Sequence, residues 1–173
     1  MRNIVLVGFM GTGKTVVARA LSEKLGMKYV STDSLIEEKE KTSISDIFSK
    51  KGENYFRKAE KDVIKDVSLM ENVVVDAGGG VVIDQENVEH LKKKGIIVCL
   101  WASPEVILER TKKYTHRPLL NVADPLKKIK ELLTSRKPFY ERADYHIYTL
   151  RMTLEEVVDE IIRRVKNARS GHR

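Results

Sequence analysis

The feature that most constrains this chain is the segment at residues 8–15, which reads Gly-Phe-Met-Gly-Thr-Gly-Lys-Thr. It follows an apolar run at residues 4–7 and precedes a stretch with apolar residues at helical spacing, so it joins a buried strand to a helix. In the pattern G-x-x-x-x-G-K-[ST], glycines let backbone N–H groups point at phosphate oxygens, beside the positive end of the helix. The segment predicts an α/β fold that binds a nucleoside triphosphate.

The polar groups of this loop have predicted roles. Lys14 is expected to neutralise the β- and γ-phosphates, and the Thr15 hydroxyl is expected to bind Mg²⁺. The backbone of Gly11, Thr12 and Gly13 is expected to cradle the phosphates. The loop does not identify the phosphoryl acceptor, because hydrolytic switches and motors share it with small-molecule kinases.

Short apolar runs alternate with helical patterns along the rest of the chain. Strands are predicted around residues 4–7, 29–30, 73–75, 96–101 and 145–148. Helices are predicted at residues 14–25, 33–41, 44–50, 53–70 and 87–94, and after residues 103, 124 and 153. Strands separated by helices predict a parallel sheet covered on both faces, and 173 residues favour a single domain spanning residues 1–173.

Most of the excess of positive over negative charge lies at the end of the chain. The sequence has 32 Lys and Arg against 25 Asp and Glu, but residues 161–173 hold five basic residues and no acidic one. We interpret the basic tail at residues 163–173 as a solvated helix end, with a nucleic-acid-binding arm as the disfavoured alternative. The chain has one cysteine, no apolar run near the roughly 20 residues of a membrane span and no signal peptide, which predicts a cytoplasmic protein without a membrane partner.

Four further motifs follow strands or lie in predicted loops, where open α/β sheets bind ligands. They are found at residues 31–33, 56–60, 78–80 and 136–140. Asp33 supplies a carboxylate, whereas Arg57 and Arg136 supply guanidinium groups that can bind a carboxylate through two hydrogen bonds. Glu60 lies three residues after Arg57 on a predicted helix and can hold its guanidinium in place. These residues predict an acceptor with both a carboxylate and a hydroxyl.

With these motifs in this order and spacing, nearly the whole chain resembles the shikimate kinase family, part of the nucleoside monophosphate kinase-like P-loop group. The motifs include F-R-x-x-E, G-G-G, R-P-L-L and R-x-P-x-Y. The resemblance implies an α/β three-layer sandwich of the P-loop NTPase type, with a five-stranded parallel sheet flanked by helices. It also implies transfer of the γ-phosphoryl group of ATP to the 3-hydroxyl of shikimate, with Mg²⁺ as cofactor.

The resemblance further implies roles for individual residues on the acceptor side. Asp33 would hold and deprotonate the acceptor hydroxyl, and Arg57 and Arg136 would bind the shikimate carboxylate. The backbone of Gly79 and Gly80 would approach the substrate. Taken alone, Asp33 could also be the N-cap of the helix that it opens.

Other implied roles concern the nucleotide. Arg117, in a lid loop at about residues 112–124, would close over the phosphates and assist catalysis together with Lys14 and Asp33. Arg110 would lie near the adenine. The expected partners are ATP and shikimate, with no nucleic acid, and the protein is expected to be a monomer.

The chain departs from the family pattern at two positions. The family has Asp-x-Asp after the second strand, but here the first acid is replaced by Ser31. Two residues before the triple glycine, where the family has a small or hydroxyl residue, this chain has Asp76. We hypothesise that Asp76 replaces the missing carboxylate near Mg²⁺, and the alternative is that Asp76 hydrogen-bonds a loop N–H.

Two other functions stay open from the sequence. The chain could be a related kinase for another acceptor, such as gluconate or a nucleoside monophosphate, although paired arginines favour a carboxylate over a nucleobase. It could also be a degenerate P-loop protein that binds nucleotide for regulation and transfers nothing.

Overall fold

A computed structural model describes residues 2–113 and 120–170 of the chain. Five strands form one sheet with the order β2-β3-β1-β4-β5, and every neighbouring pair is parallel. The strands are β1 (Asn3–Val7), β2 (Lys28–Ser31), β3 (Val73–Asp76), β4 (Gly95–Trp101) and β5 (Tyr145–Tyr148). The predicted fold class is therefore confirmed, and β1 lies in the middle of the sheet.

Helices cover both faces of this sheet. They are α1 (Lys14–Leu25), α2 (Thr32–Glu40), α3 (Ile44–Leu69), α4 (Gln85–Lys94), α5 (Pro104–Thr111), α6 (Pro125–Tyr140) and α7 (Leu154–Ser170), with a 3₁₀ turn at Val81–Ile83. Because side chains alternate along a strand, Ile4 and Leu6 of β1 pack with α1 and α7, whereas Val5 and Val7 pack in the cluster of α3, α4 and α6. Within the described ranges, no helix is long and apolar enough to cross a membrane.

The structure confirms one detail around the second and third helices and corrects another. The two helices predicted at residues 44–50 and 53–70 are both present in the span α3, which is interrupted by non-helical backbone at Gly52 (φ 82°, ψ 171°). Glycine adopts this positive φ without steric cost, so the chain turns there and continues. The N-cap of α2 is Ser31, whose Oγ accepts a hydrogen bond from the Ser34 N–H at 3.2 Å, so Asp33 lies in the first turn and is not the cap.

Candidate active site

The carboxyl ends of β1, β2 and β3 bring most of the predicted site residues to one edge of the sheet. The phosphate loop follows β1, Asp33 follows β2, and Asp76 ends β3 just before the triple glycine. In an open parallel sheet, ligands bind outside this edge.

The loop after β1 has the backbone that a phosphate site requires. Gly8, Gly11 and Gly13 all have positive φ angles, and a Cβ at Gly8 would lie 2.5 Å from the Leu100 carbonyl oxygen. Because Gly13, the N-cap of α1, has no side chain that can accept hydrogen bonds, the first N–H groups of α1 suit an anion. The Lys14 ammonium donates to the carbonyl oxygens of Gly8 and Phe9, each at 3.0 Å, so its stem folds back over the loop.

A carboxylate at the end of β3 meets the last residue of this loop. The Thr15 hydroxyl donates to Oδ2 of Asp76 at 2.6 Å, and the Tyr29 hydroxyl donates to the same oxygen at 3.1 Å. Asp76 is only 8% exposed, and it pairs in register with Ser31 of β2. Two hydroxyl groups thus donate to Asp76, and its replacement of the missing carboxylate near Mg²⁺ stays a hypothesis.

These oxygen donors fit Mg²⁺, which binds through one or two protein oxygens and otherwise keeps water and substrate phosphates. Among the described residues there is no cluster of three or more His, Cys, Asp or Glu side chains that could hold a metal by itself. A site built from Thr15 and Asp76 would therefore bind the metal mainly together with a nucleotide.

The third helix supplies an arginine held by two carboxylates. Arg57 donates to Oε1 of Glu60 at 2.7 Å and to Oε1 of Glu53 at 3.3 Å. Glu60 is 1% exposed, and burial raises its pKa although the Arg57 charge lowers it in part. The charges of Asp33 and Arg136 also act on the pKa of Glu60, so the carboxylates and both arginines share one neighbourhood.

The triple glycine packs closely against these side chains. A Cβ at Gly80 would overlap the Arg57 guanidinium, and a Cβ at Gly78 would lie 2.9 Å from Oδ1 of Asp33. A Cβ at Gly79 would lie 3.8 Å from the Arg136 guanidinium, within ordinary contact distance. The triple glycine therefore forms a surface that Asp33, Arg57 and Arg136 all approach, and we call Gly78–Gly80 the glycine floor.

The sixth helix completes this side of the site. Arg136 is 7% exposed, with its guanidinium carbon 5.6 Å from the centroid of the Phe9 ring. The Tyr140 hydroxyl donates to the Gly79 carbonyl oxygen at 2.7 Å, and burial raises the pKa of Tyr140 to about 12. Helix α6 thus touches both the phosphate loop and the triple glycine.

Of the two arginines predicted for the nucleotide side, the structure describes only Arg110. Arg110 donates to the Gly11 carbonyl oxygen at 3.1 Å, so it lies against the phosphate loop. Arg117 and the middle of the predicted lid, residues 114–119, fall outside the described residues. The role of Arg117 stays a prediction.

Sequence reasoning missed Tyr29. The alternation of side chains along a strand could have indicated that Tyr29 belongs to the site. Tyr29 and Ser31 share one face of β2, and Ser31 lies beside Asp76. That inference requires knowing that β2 and β3 are neighbours.

Proteins of similar sequence identify the family to which this site belongs. The profile of the shikimate kinase family matches residues 10–166. The chain belongs to the shikimate kinase family. It is 48% identical over 171 residues to the shikimate kinase of Thermodesulfovibrio yellowstonii, covering 99% of each chain. It is 48% identical over 163 residues to that of Caldanaerobacter subterraneus, covering 94% of this chain and 95% of the relative.

Solved structures of the family have the same fold. The shikimate kinase of Acinetobacter baumannii in complex with shikimate superposes with a TM-score of 0.93 at 38% identity, covering 97% of this chain and 94% of that one. The Aquifex aeolicus shikimate kinase superposes with a TM-score of 0.83 at 39% identity, covering 96% and 97%. The gluconokinase of Sinorhizobium meliloti, at 18% identity and a TM-score of 0.62, shares the fold alone. The recognised family, the fold class and the assignment as a shikimate kinase-type enzyme are therefore confirmed.

Proposed function

We propose that this chain transfers the γ-phosphoryl group of ATP to the 3-hydroxyl of shikimate within one kinase domain. The observation that carries the proposal is the position of Gly79, which joins the two halves of the site. A Cβ there would lie 3.5 Å from the Gly8 carbonyl oxygen of the phosphate loop and 3.8 Å from the guanidinium of Arg136. An acceptor bound on the glycine floor therefore lies beside the phosphates.

The acceptor is held by its carboxylate and its hydroxyl. Arg57 and Arg136 bind the carboxylate of shikimate, and Glu60 keeps the Arg57 guanidinium in one orientation at 2.7 Å. The backbone of Gly79 and Gly80 lies close to the ring. With the ring fixed in this way, the reacting hydroxyl is directed to Asp33, near Gly78.

In the reaction, Asp33 accepts the proton of the acceptor hydroxyl. The oxygen of that hydroxyl forms a bond to the γ-phosphorus while the bond from the γ-phosphorus to the β–γ bridging oxygen breaks. Lys14, Arg117 and the N–H groups of residues 11–13 stabilise the charge that spreads over the phosphates. ADP and the phosphorylated acceptor are the products. Arg110, beside Gly11, binds near the adenine.

Mg²⁺ is the proposed cofactor. When it is bound with ATP, it supplies Lewis-acid neutralisation of the phosphate oxygens. Thr15 and Asp76 are the residues that would hold it, and their 2.6 Å hydrogen bond supports this because both present hard oxygen atoms at one point. Ser31 pairs in register with Asp76, and its hydroxyl caps α2 while also acting on Tyr29 through a hydrogen bond, so it lies beside this site and leaves room for a water there.

The Mg²⁺ proposal is tested with two substitutions. Asp76→Asn is expected to raise the Mg²⁺ concentration needed for half-maximal activity at least tenfold, on the order of the loss of one charged contact. Ser31→Asp in that background is expected to restore part of the response. An unchanged Mg²⁺ titration in Asp76→Asn would remove Asp76 from the metal site.

The acceptor is tested by measuring ADP release from Mg·ATP. Shikimate, gluconate and the nucleoside monophosphates serve as parallel acceptors, with a no-acceptor control for ATP hydrolysis. ADP release that depends on shikimate, with phosphorylation at the 3-position seen by NMR, is the expected result. ADP release without acceptor preference, or tight ATP binding without turnover, contradicts the proposal and favours a redirected or regulatory protein.

The proposal includes a cytoplasmic monomer that binds only small molecules. Its support is the near balance of charge outside the basic tail and the burial of the single cysteine, Cys99. Light scattering at micromolar concentration checks the oligomeric state.

A further inference from the structure

Tyr29 is a side chain that no sequence motif singles out, yet it reaches the centre of the site. It lies on β2, and its hydroxyl donates to Oδ2 of Asp76 at 3.1 Å. That same oxygen accepts the Thr15 hydroxyl at 2.6 Å. Two donors from two different elements thus converge on one oxygen of a buried carboxylate.

This convergence has a consequence for the Thr15 hydroxyl. A hydroxyl group that binds a cation through a lone pair must give its proton to another acceptor. Asp76 is that acceptor, so the orientation of its carboxylate decides where the lone pairs of Thr15 point. A carboxylate that accepts such a hydrogen bond orients the group that contacts the metal, in addition to any contact of its own.

Tyr29 is itself held from its ring face. The guanidinium carbon of Arg19 lies 4.5 Å from the centroid of the Tyr29 ring, a cation–π arrangement. Arg19 is one turn after Thr15 on α1, so the two residues lie on one face of that helix. The set of Arg19, Tyr29, Asp76 and Thr15 therefore forms a closed path from α1 through β2 and β3 and back to α1.

We infer that Tyr29 is a positioning residue for the Mg²⁺-bound nucleotide, acting through Asp76 while Arg19 fixes its ring. The inference rests on the proposed function, in which Thr15 and Asp76 hold Mg²⁺. Tyr29 is expected to set how strongly Mg²⁺ enhances nucleotide binding, with no effect on the shikimate side, where Arg57 and Arg136 lie.

The test measures ADP affinity by calorimetry in Mg²⁺ and in EDTA, so its readout is binding and not turnover. Tyr29→Phe keeps the ring and its Arg19 contact and removes only the hydroxyl. It is expected to lower the ratio of the two affinities by about three- to tenfold, the effect of one ordinary hydrogen bond, because Tyr29 acts only through Asp76. The affinity in EDTA is expected to stay unchanged.

Three companion variants locate the effect. Asp76→Asn alone is expected to lower the ratio further, and adding Tyr29→Phe to it is expected to cause no additional loss. Tyr55→Phe is the matched control, because the Tyr55 hydroxyl also donates to a carboxylate, Glu40 at 2.8 Å, on the exposed surface of α2 and α3. It is expected to leave the ratio unchanged.

The outcomes separate the two proposals. A normal ratio in Tyr29→Phe with a reduced ratio in Asp76→Asn overturns the role of Tyr29 and leaves that of Asp76. Normal ratios in both variants overturn the metal role of Asp76 itself. Additive losses in the double variant, or an equal loss of shikimate affinity in Tyr29→Phe, overturn the path through Asp76.

Discussion

The guanidinium of Arg57 lies 2.7 Å from one carboxylate oxygen of Glu60, while the other oxygen of that carboxylate has no hydrogen-bond partner among the described residues. Glu60 is 1% exposed, so its charge is almost completely removed from water. Removing a charge from water is costly unless all its oxygens are satisfied. The pair therefore holds the Arg57 guanidinium in one orientation at some expense of stability, as the proposed binding of a substrate carboxylate requires.

The first prediction concerns Glu60→Gln. Burial raises the pKa of Glu60 above the ordinary 4.5, although Arg57 offsets part of the effect. The folded state then binds a proton more tightly than the unfolded state, so wild-type stability falls as pH rises from about 4.5 through the raised pKa. Glutamine has no such dependence, so the stability of the variant relative to wild type is expected to improve with pH.

Urea unfolding from about pH 4.5 to about pH 8 measures the difference, which amounts to about 1.4 kcal/mol for each unit by which the pKa is raised. The shikimate KM of the variant is expected to rise, because Arg57 loses its strongest partner. A stability difference that stays constant over this range would contradict the raised pKa.

The second prediction compares the kinetic effects of alanine substitutions at the two ends of the triple glycine, Gly78 and Gly80. In Gly80→Ala the new Cβ meets the Arg57 guanidinium, so the shikimate KM is expected to rise at least tenfold with a smaller change in kcat. In Gly78→Ala the new Cβ meets Asp33, 2.9 Å away, so kcat is expected to fall more than KM rises. Steady-state kinetics of both variants, with ADP affinity as the control, distinguish them, and identical profiles would contradict the geometry.

The third prediction concerns Asp33→Asn. The amide keeps the size of the side chain and loses its capacity to accept a proton, so kcat is expected to fall by about 10²–10⁴. Calorimetry is expected to show shikimate affinity within a few-fold of wild type, because Arg57 and Arg136 are unchanged. A loss that appears wholly in affinity would make Asp33 a binding residue and not the base.

The fourth prediction concerns Tyr140→Phe. The lost hydroxyl donates to the Gly79 carbonyl at 2.7 Å in a buried position, so the unfolding free energy is expected to fall by about 1–3 kcal/mol. Because burial raises the pKa of Tyr140 to about 12, the wild-type residue keeps its proton below about pH 11. Thermal unfolding provides the measurement, with the exposed Tyr55→Phe as control at about 0.5 kcal/mol or less. Equal losses in the two variants would argue against a specific role for the Gly79 contact.

Local sequence patterns predicted the phosphate loop and most helices and strands, because each depends on residues close together in the chain. The helix starts predicted after residues 103 and 124 are confirmed, because Ser103 Oγ and Asp124 Oδ1 accept hydrogen bonds from the N–H groups three residues later, at 3.3 and 3.0 Å. The start of α2 was misplaced because Ser31 ends a strand and caps a helix at once. The 3₁₀ turn at Val81–Ile83 was missed because it has no periodic pattern of its own.

Contacts between distant parts of the chain were harder to predict from the sequence. The family resemblance grouped Asp33, Arg57 and Arg136 because their motifs occur together, and the structure shows the glycine floor on which they meet. Tyr29 and Asp76 are 47 residues apart in sequence, and their contact depends on the register of β2 and β3, which no local pattern encodes.

The order of the strands has a consequence for how such enzymes diverge. Since β2 and β3 lie on one side of β1 and β4 and β5 on the other, the proposed acceptor residues up to Gly80 come from one continuous stretch, residues 33–80. The phosphate loop precedes that stretch, and Arg110 follows it. If these roles hold, acceptor preference can evolve largely within this stretch, provided that Asp76, which lies inside it and belongs to the proposed Mg²⁺ site, is kept. Arg136 is the exception, since its proposed contact with the acceptor comes from α6, so a change of acceptor would require a matching substitution far away in the gene.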